Sequence, residues 1–306
     1  MISMRVHETD PARLPRSGSV RRTPHFDGER RCTSDNGFSL IELLVVLVVI
    51  TLLLALICPA LGRARTIARQ TRELSTGSQL MRAYFTYSTD ARGAVLPGYT
   101  PASWTTGAGA VRDESGAQVL GQAARRYPWR IAPYLDYTFA GMYDDRKLLE
   151  RYAARPDYQY VVSLSPSMGI NADFVGGNDD NGIAFSPAGL RLYGKFFVQK
   201  IDDARRPNSL IVFGSARGVD PEGGTVPGFH RLLSPALAAA RWSAAPLADG
   251  GVPEEHGHLH PRFAGKAVVS FLDGHGDSKG LDELRDMRLW ADRADRADWT
   301  LAPLIP

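Results

Sequence analysis

The sequence predicts an α+β protein. One long N-terminal helix, transmembrane in its first half, is expected to pack on an antiparallel β-sheet head with long loops and a C-terminal helix. Three observations lead there. From Phe38 to Ile57 only Ser39, Glu42 and Thr51 interrupt the apolar side chains, and at about 1.5 Å of rise per residue that run covers the hydrocarbon core of a bilayer, about 30 Å thick. Beyond Pro59, Leu61, Ala64, Ala68, Leu74, Met81 and Phe85 follow at helical steps, so an amphipathic helix continues. Ala267–Leu272 then reads as a strand running into Asp273-Gly274, a strong turn signal.

Composition narrows the functional classes. The 306 residues carry a net charge of +3, of which the first 37 contribute +2 through seven arginines and five acids, so the remainder is close to neutral. A nucleic-acid-binding face needs a basic patch that this balance does not supply. Both cysteines, Cys32 and Cys58, precede the head, so no disulfide is expected within it.

Taken in order, residues 1–37 form a polar leader of Arg, Pro, Ser, Thr and acids without hydrophobic periodicity. They lack the apolar core of a secretory signal and are expected to be disordered and cytoplasmic. Residues 38–58 are the membrane span, 59–88 its amphipathic continuation and 89–306 the soluble head. A single helix from Phe38 to about Tyr87 fits, with a kink or local melting at Pro59, which lacks a donor and clashes with the preceding turn. Glu42 is the oddity of the span, because a carboxylate there is costly unless partnered. Arg63, Arg65, Arg69 and Arg72, offset only by Glu73, leave the orientation ambiguous on charge alone.

In the head, Asp90–Ala124 is loop. Tyr127–Leu135, bracketed by Pro128 and Pro133, is an aromatic segment expected to plug the core. Asp144–Ala154 reads as a short helix, whereas Tyr158–Leu164, Lys195–Gln199 and Ser209–Gly214 read as strands. Leu232–Trp242 is a further short-helix candidate. Leu281 to Ala294 repeats at helical spacing and predicts a closing helix with Trp290 on its buried side and an Asp292–Arg296 pair.

Two segments have metal-ligand chemistry. Asn171–Gly182, with Asp173, Asp179 and Asp180, has the hard oxygens that suit Ca²⁺, but not EF-hand spacing, and the same residues also build plain turns. His256, His258, His260 and His275, with Asp273 close by, suit Zn²⁺, and in an extended strand the first three would share one face. Pro253, Gly257 and Pro261 favour an irregular loop instead, and no His-Glu-x-x-His helix is present.

Gly37-Phe38-Ser39-Leu40-Ile41-Glu42 resembles the processing site of type IV pilins and type II secretion pseudopilins. The resemblance implies a pilin-like fold and cleavage between Gly37 and Phe38 by a prepilin peptidase that also methylates the new terminus at Phe38. It further implies that Glu42 pairs with the terminal amine of a neighbouring subunit during assembly, and that Pro59 is the helix-kinking proline common in pilins. Arg262–Ala267 leading to Phe271-Leu272-Asp273-Gly274-His275 is similar to the C-terminal signature of a large pseudopilin-like family, in which nine residues separate a histidine from Asp-Gly. Here Phe263 holds that position and His260 is three residues too early, so the chain departs from the signature there, while the strand, the Asp-Gly turn and His275 match it.

The implied function is structural, not enzymatic: a subunit of a type II secretion pseudopilus or type IV pilus-like filament. Its partners would be the prepilin peptidase and methyltransferase, other pilin or pseudopilin subunits, an inner-membrane assembly platform and membrane lipid. It would cross the cytoplasmic membrane once, N-terminus cytoplasmic before cleavage and head periplasmic or extracellular. The alternative is a membrane-tethered metal-dependent hydrolase using the histidine cluster. A third reading is a filament-tip adhesin that holds carbohydrate on Trp104 and Trp129.

Overall fold

A computed structural model describes residues 38–247 and 251–304; the leader and Gly37 lie outside the described residues. The chain divides into a unit ending at Leu54 and a second unit from Ala55 onward. Helix α1, Leu40–Asp90, contributes to both. It runs through Pro59 without interruption, so the local melting expected there does not occur.

In the second unit the buried positions of α1 are Glu73, Gly77, Leu80, Met81, Ala83, Tyr84 and Ser88. Steps of three and four place them on one stripe, which lies on a β-sheet. The helix comes close because residue 77 has no side chain: a Cβ there would fall 2.3 Å from Ser270 Oγ and 3.3 Å from Met168 Cε. Tyr84 meets Phe213 edge to face, with ring centroids 6.0 Å apart.

That sheet has five strands in the order β5-β1-β2-β6-β7. They are β1 (Met168–Asn171), β2 (Ile211–Ser215), β5 (Arg231–Leu232), β6 (Lys266–Phe271) and β7 (Gly276–Gly280). A separate antiparallel ribbon joins β3 (Arg217–Val219) to β4 (Thr225–Pro227). Pairing in the five-stranded sheet is antiparallel except for the short edge strand β5, which runs parallel to β1. The architecture is α+β, a long N-terminal helix with an antiparallel sheet. The Asp273-Gly274 turn forms between β6 and β7 as its sequence requires, with Gly274 at φ 95° and Asp273 Oδ1 accepting from the His275 amide at 3.1 Å.

Residues of the central strands feed two cores, alternating along β6, while an irregularity in β2 sends Val212 and Phe213 to the same one. Ile170, Val212, Phe213 and Val268 join Leu80, Met81 and Tyr84 of α1. Ile211, Ala267, Val269 and Phe271 join Trp242, Leu284 and Trp290. The first core is completed by four short helices: α2 (Gly121–Arg125), α3 (Tyr127–Ile131), α4 (Arg146–Ala153) and α5 (Tyr158–Leu164). The aromatic plug at Tyr127–Leu135 thus packs inward, Trp129 against Phe139 with centroids 4.8 Å apart. Helix α4 starts at an N-cap, Asp145, whose side chain accepts from the amides of Lys147 and Leu148.

Several expectations need correction. Tyr158–Leu164 is helix α5, not a strand; a seven-residue run with five apolar or aromatic side chains is compatible with either, and here Val161, Val162 and Leu164 are buried. Lys195–Gln199 follows α6 (Pro187–Tyr193) as extended chain with one isolated bridge, Val175 to Val198, because no strand lies alongside it. Leu232–Trp242 is not helical; Pro235 interrupts it, its carbonyl accepts from the amides of Arg241 and Trp242, and Ala236 bridges Ala240. The closing helix shrinks to α7 (Leu281–Leu284) and one 3₁₀ turn, Met287–Leu289. Tertiary partners take over its backbone: Met287 donates to the Ala297 carbonyl, and the Arg206 guanidinium donates to the carbonyls of Ala291, Asp292 and Ala294. Trp290 is buried as expected, but Asp292 accepts from the Arg205 and Arg206 amides while Arg296 pairs with Asp295 and Asp298.

Candidate functional site: the start of the N-terminal helix

Ser39 is the N-cap of α1 and Glu42 the third helical residue. Ser39 Oγ accepts from the Ile41 amide at 3.4 Å, and Glu42 Oε2 accepts from the Ser39 amide at 2.9 Å. This is a reciprocal cap close to a capping box, with Ser39 reaching the second helical amide in place of the third: two side chains satisfy amides that the first turn leaves without helical partners. The carboxylate also sits where the positive end of the helix dipole favours it. Glu42 therefore has a partner inside its own chain. The sequence carries the signal as Ser39-x-x-Glu42.

From Leu43 to Ile57 the helix offers, Thr51 apart, only apolar surface. Phe38 is 76% exposed, and the large side chains from Leu40 to Ile57 are all exposed. Within α1 lies a segment long and apolar enough to cross a membrane, with a mean hydropathy of 3.2 and nothing buried against it. Such a surface is stable only in lipid or against other helices.

The model of the prokaryotic N-terminal methylation motif matches residues 32–57. The chain carries that motif. It is typical of type IV pilins and pseudopilins, and it implies processing by a prepilin peptidase and assembly with other pilin subunits. The motif ends before Cys58 and says nothing of the head. Comparison with curated proteins and with solved structures finds no match. Of the residues singled out for processing and assembly, Phe38, Glu42 and Pro59 are described, and Gly37 is not.

The metal candidates do not assemble. Among the described residues no group of three or more His, Cys, Asp or Glu side chains converges on a point that could hold an ion. His256 lies on a 3₁₀ turn with Nε2 3.1 Å from the Ala245 carbonyl. The left-handed residues Gly257 and His258 then turn the chain, so the shared strand face does not exist. His258 stacks on Phe229 at 3.8 Å and its Nδ1 bonds the Arg217 carbonyl, while burial lowers its pKa to about 4. His260 Nδ1 accepts from Arg262, and burial together with that guanidinium lowers its pKa to about 3. His275 stands apart in the β6–β7 turn, paired with Asp273 at 2.6 Å.

The Asn171–Gly182 loop is equally committed to the fold. Asn171 donates to the carbonyls of Ile211 and Trp290 at 3.0 and 2.9 Å. Asp173 is buried against Arg241, Asp179 pairs with Arg125 at 2.7 Å and Asp180 with Arg231. Arginines balance these three carboxylates.

Glu73 gave no sequence signal as a site. It is buried, ion-paired with Arg262 through both Nε, at 3.0 Å, and Nη2, and it accepts from the Ser215 hydroxyl. Burial raises its pKa, and the Arg262 charge opposes that rise.

Proposed function

We propose that this chain is the precursor of a structural subunit of a type II secretion pseudopilus or type IV pilus-like filament. Cleavage after Gly37 removes the leader and creates a charged, then methylated, amine at Phe38. In an adjacent subunit Glu42 takes up that amine, a pair whose value rises in the low dielectric of a helix bundle. The apolar surface from Phe38 to Ile57 forms the shared core, first in the cytoplasmic membrane and then in the filament, with the head on the far side of that membrane.

The observation that carries this reading is the methylation motif at residues 32–57, whose described part leads into an exposed apolar helical segment. The reciprocal cap supplies the unassembled state: Glu42 rests on the Ser39 amide and exchanges it for a stronger, charged donor on assembly. Glu42→Ala is expected to leave cleavage intact and to lower incorporation into filaments by roughly tenfold or more, in line with the loss of a desolvated charge pair. Normal incorporation of a correctly cleaved variant removes the assembly role.

A further inference from the structure

We propose that the head carries a binding cleft for an acidic saccharide, centred on Trp104 and Arg130. The cleft has a volume of 890 Å³ and belongs wholly to the second unit. That is the size of a small-ligand site.

Its lining combines two chemistries. Trp104 is 49% exposed and leans edge-on against Phe185, with centroids 5.0 Å apart; Phe185 in turn meets Phe197 at 5.7 Å. A flat, half-exposed indole held in place by other rings suits the apolar face of a sugar ring. Arg130, Lys195 and Lys200 supply positive charge, and Asp203 is the single carboxylate on the lining. Among the described residues none of these three cations has an ion-pair partner, whereas Arg125, Arg241 and Arg262 elsewhere in the head each hold a carboxylate.

Arg130 is the most telling of the three. Its Nη2 makes only long bonds, 3.3 Å to Thr100 Oγ1 and 3.4 Å to the Trp104 carbonyl, and its buried Nε has no partner. A guanidinium held half-desolvated beside an open cleft is short of an acceptor that the chain does not provide, and a carboxylate is the matching group. Ser103, Thr106 and Gln199 add neutral donors and acceptors of the kind that sugar hydroxyls use. A peptide of glutamates alone would satisfy the cations but has no ring face to offer Trp104. Trp129, the other aromatic considered for carbohydrate, is buried and lies outside this cleft.

The proposal is independent of filament assembly. The full chain in detergent micelles is titrated calorimetrically with an oligogalacturonate, with its methyl ester and with a glutamate peptide of equal charge. Binding of the oligogalacturonate is expected, and loss of the charge in the methyl ester should weaken it by about tenfold or more. Trp104→Ala and the double variant Lys195→Ala/Lys200→Ala should each weaken it by about tenfold as well. Both variants alter exposed side chains, and unchanged circular dichroism checks that they fold. No binding of the oligogalacturonate, unchanged affinity in both variants, or equal affinity for the glutamate peptide overturns the proposal.

Discussion

Glu42 and Glu73 lie on the same helix and have opposite circumstances. Glu42 stands in a segment where every large apolar neighbour is exposed, and among the described residues its partner is the amide of Ser39, three residues away. Glu73 lies where α1 is buried on the sheet, and it is held by Arg262, 189 residues distant in sequence, and by Ser215. The first carboxylate keeps a local bond, the one that the proposed assembly would exchange for a charged donor. The second is fixed by the fold, and losing it leaves a buried guanidinium without its counter-charge. The difference teaches where each half of α1 finds its stability: the front half in a partner or membrane outside the chain, the rear half in the head's own core.

Substitutions can break this contrast. Glu73→Ala has the largest expected effect, about 3–5 kcal/mol off the unfolding free energy, because it strands a buried charge. Urea unfolding of the full chain in detergent, followed by tryptophan fluorescence, measures it; a loss below about 1 kcal/mol, the value of an exposed pair, would show that the pair is solvated. Gly77→Ala should cost about 1–3 kcal/mol through overpacking against Ser270, and the double variant Gly77→Ala/Ser270→Ala should recover part of that loss. If the double variant loses the sum of both single effects, the close approach of α1 to β6 is not what residue 77 serves. The smallest effect belongs to Glu42→Ala, which should leave the urea midpoint of the head unchanged while costing the helix start about 1 kcal/mol of capping. A shifted midpoint would show that the two carboxylates are not independent.

What the sequence disclosed followed from how local each feature is. The apolar span, the continuing helix, the Asp145-capped helix and the β6–β7 hairpin each rest on contiguous residues, and their patterns were readable. So was the processing motif. Glu73–Arg262 was not, since nothing near Glu73 names a partner so far along the chain. Tyr158–Leu164 misled because a short apolar run has no decisive period, and the closing helix because Arg206 and Ala297 take bonds that a helix would have used. The histidines misled in another way: closeness in sequence did not become convergence in space once Gly257 and His258 turned the chain.

The intact mass of the chain recovered from membranes of cells with an active prepilin peptidase tests the central claim most directly. Cleavage between Gly37 and Phe38 predicts a species that begins at Phe38 and carries one added methyl group, and Gly37→Val should return the full-length mass. A full-length mass from the unaltered sequence, or a terminus other than Phe38, contradicts the account.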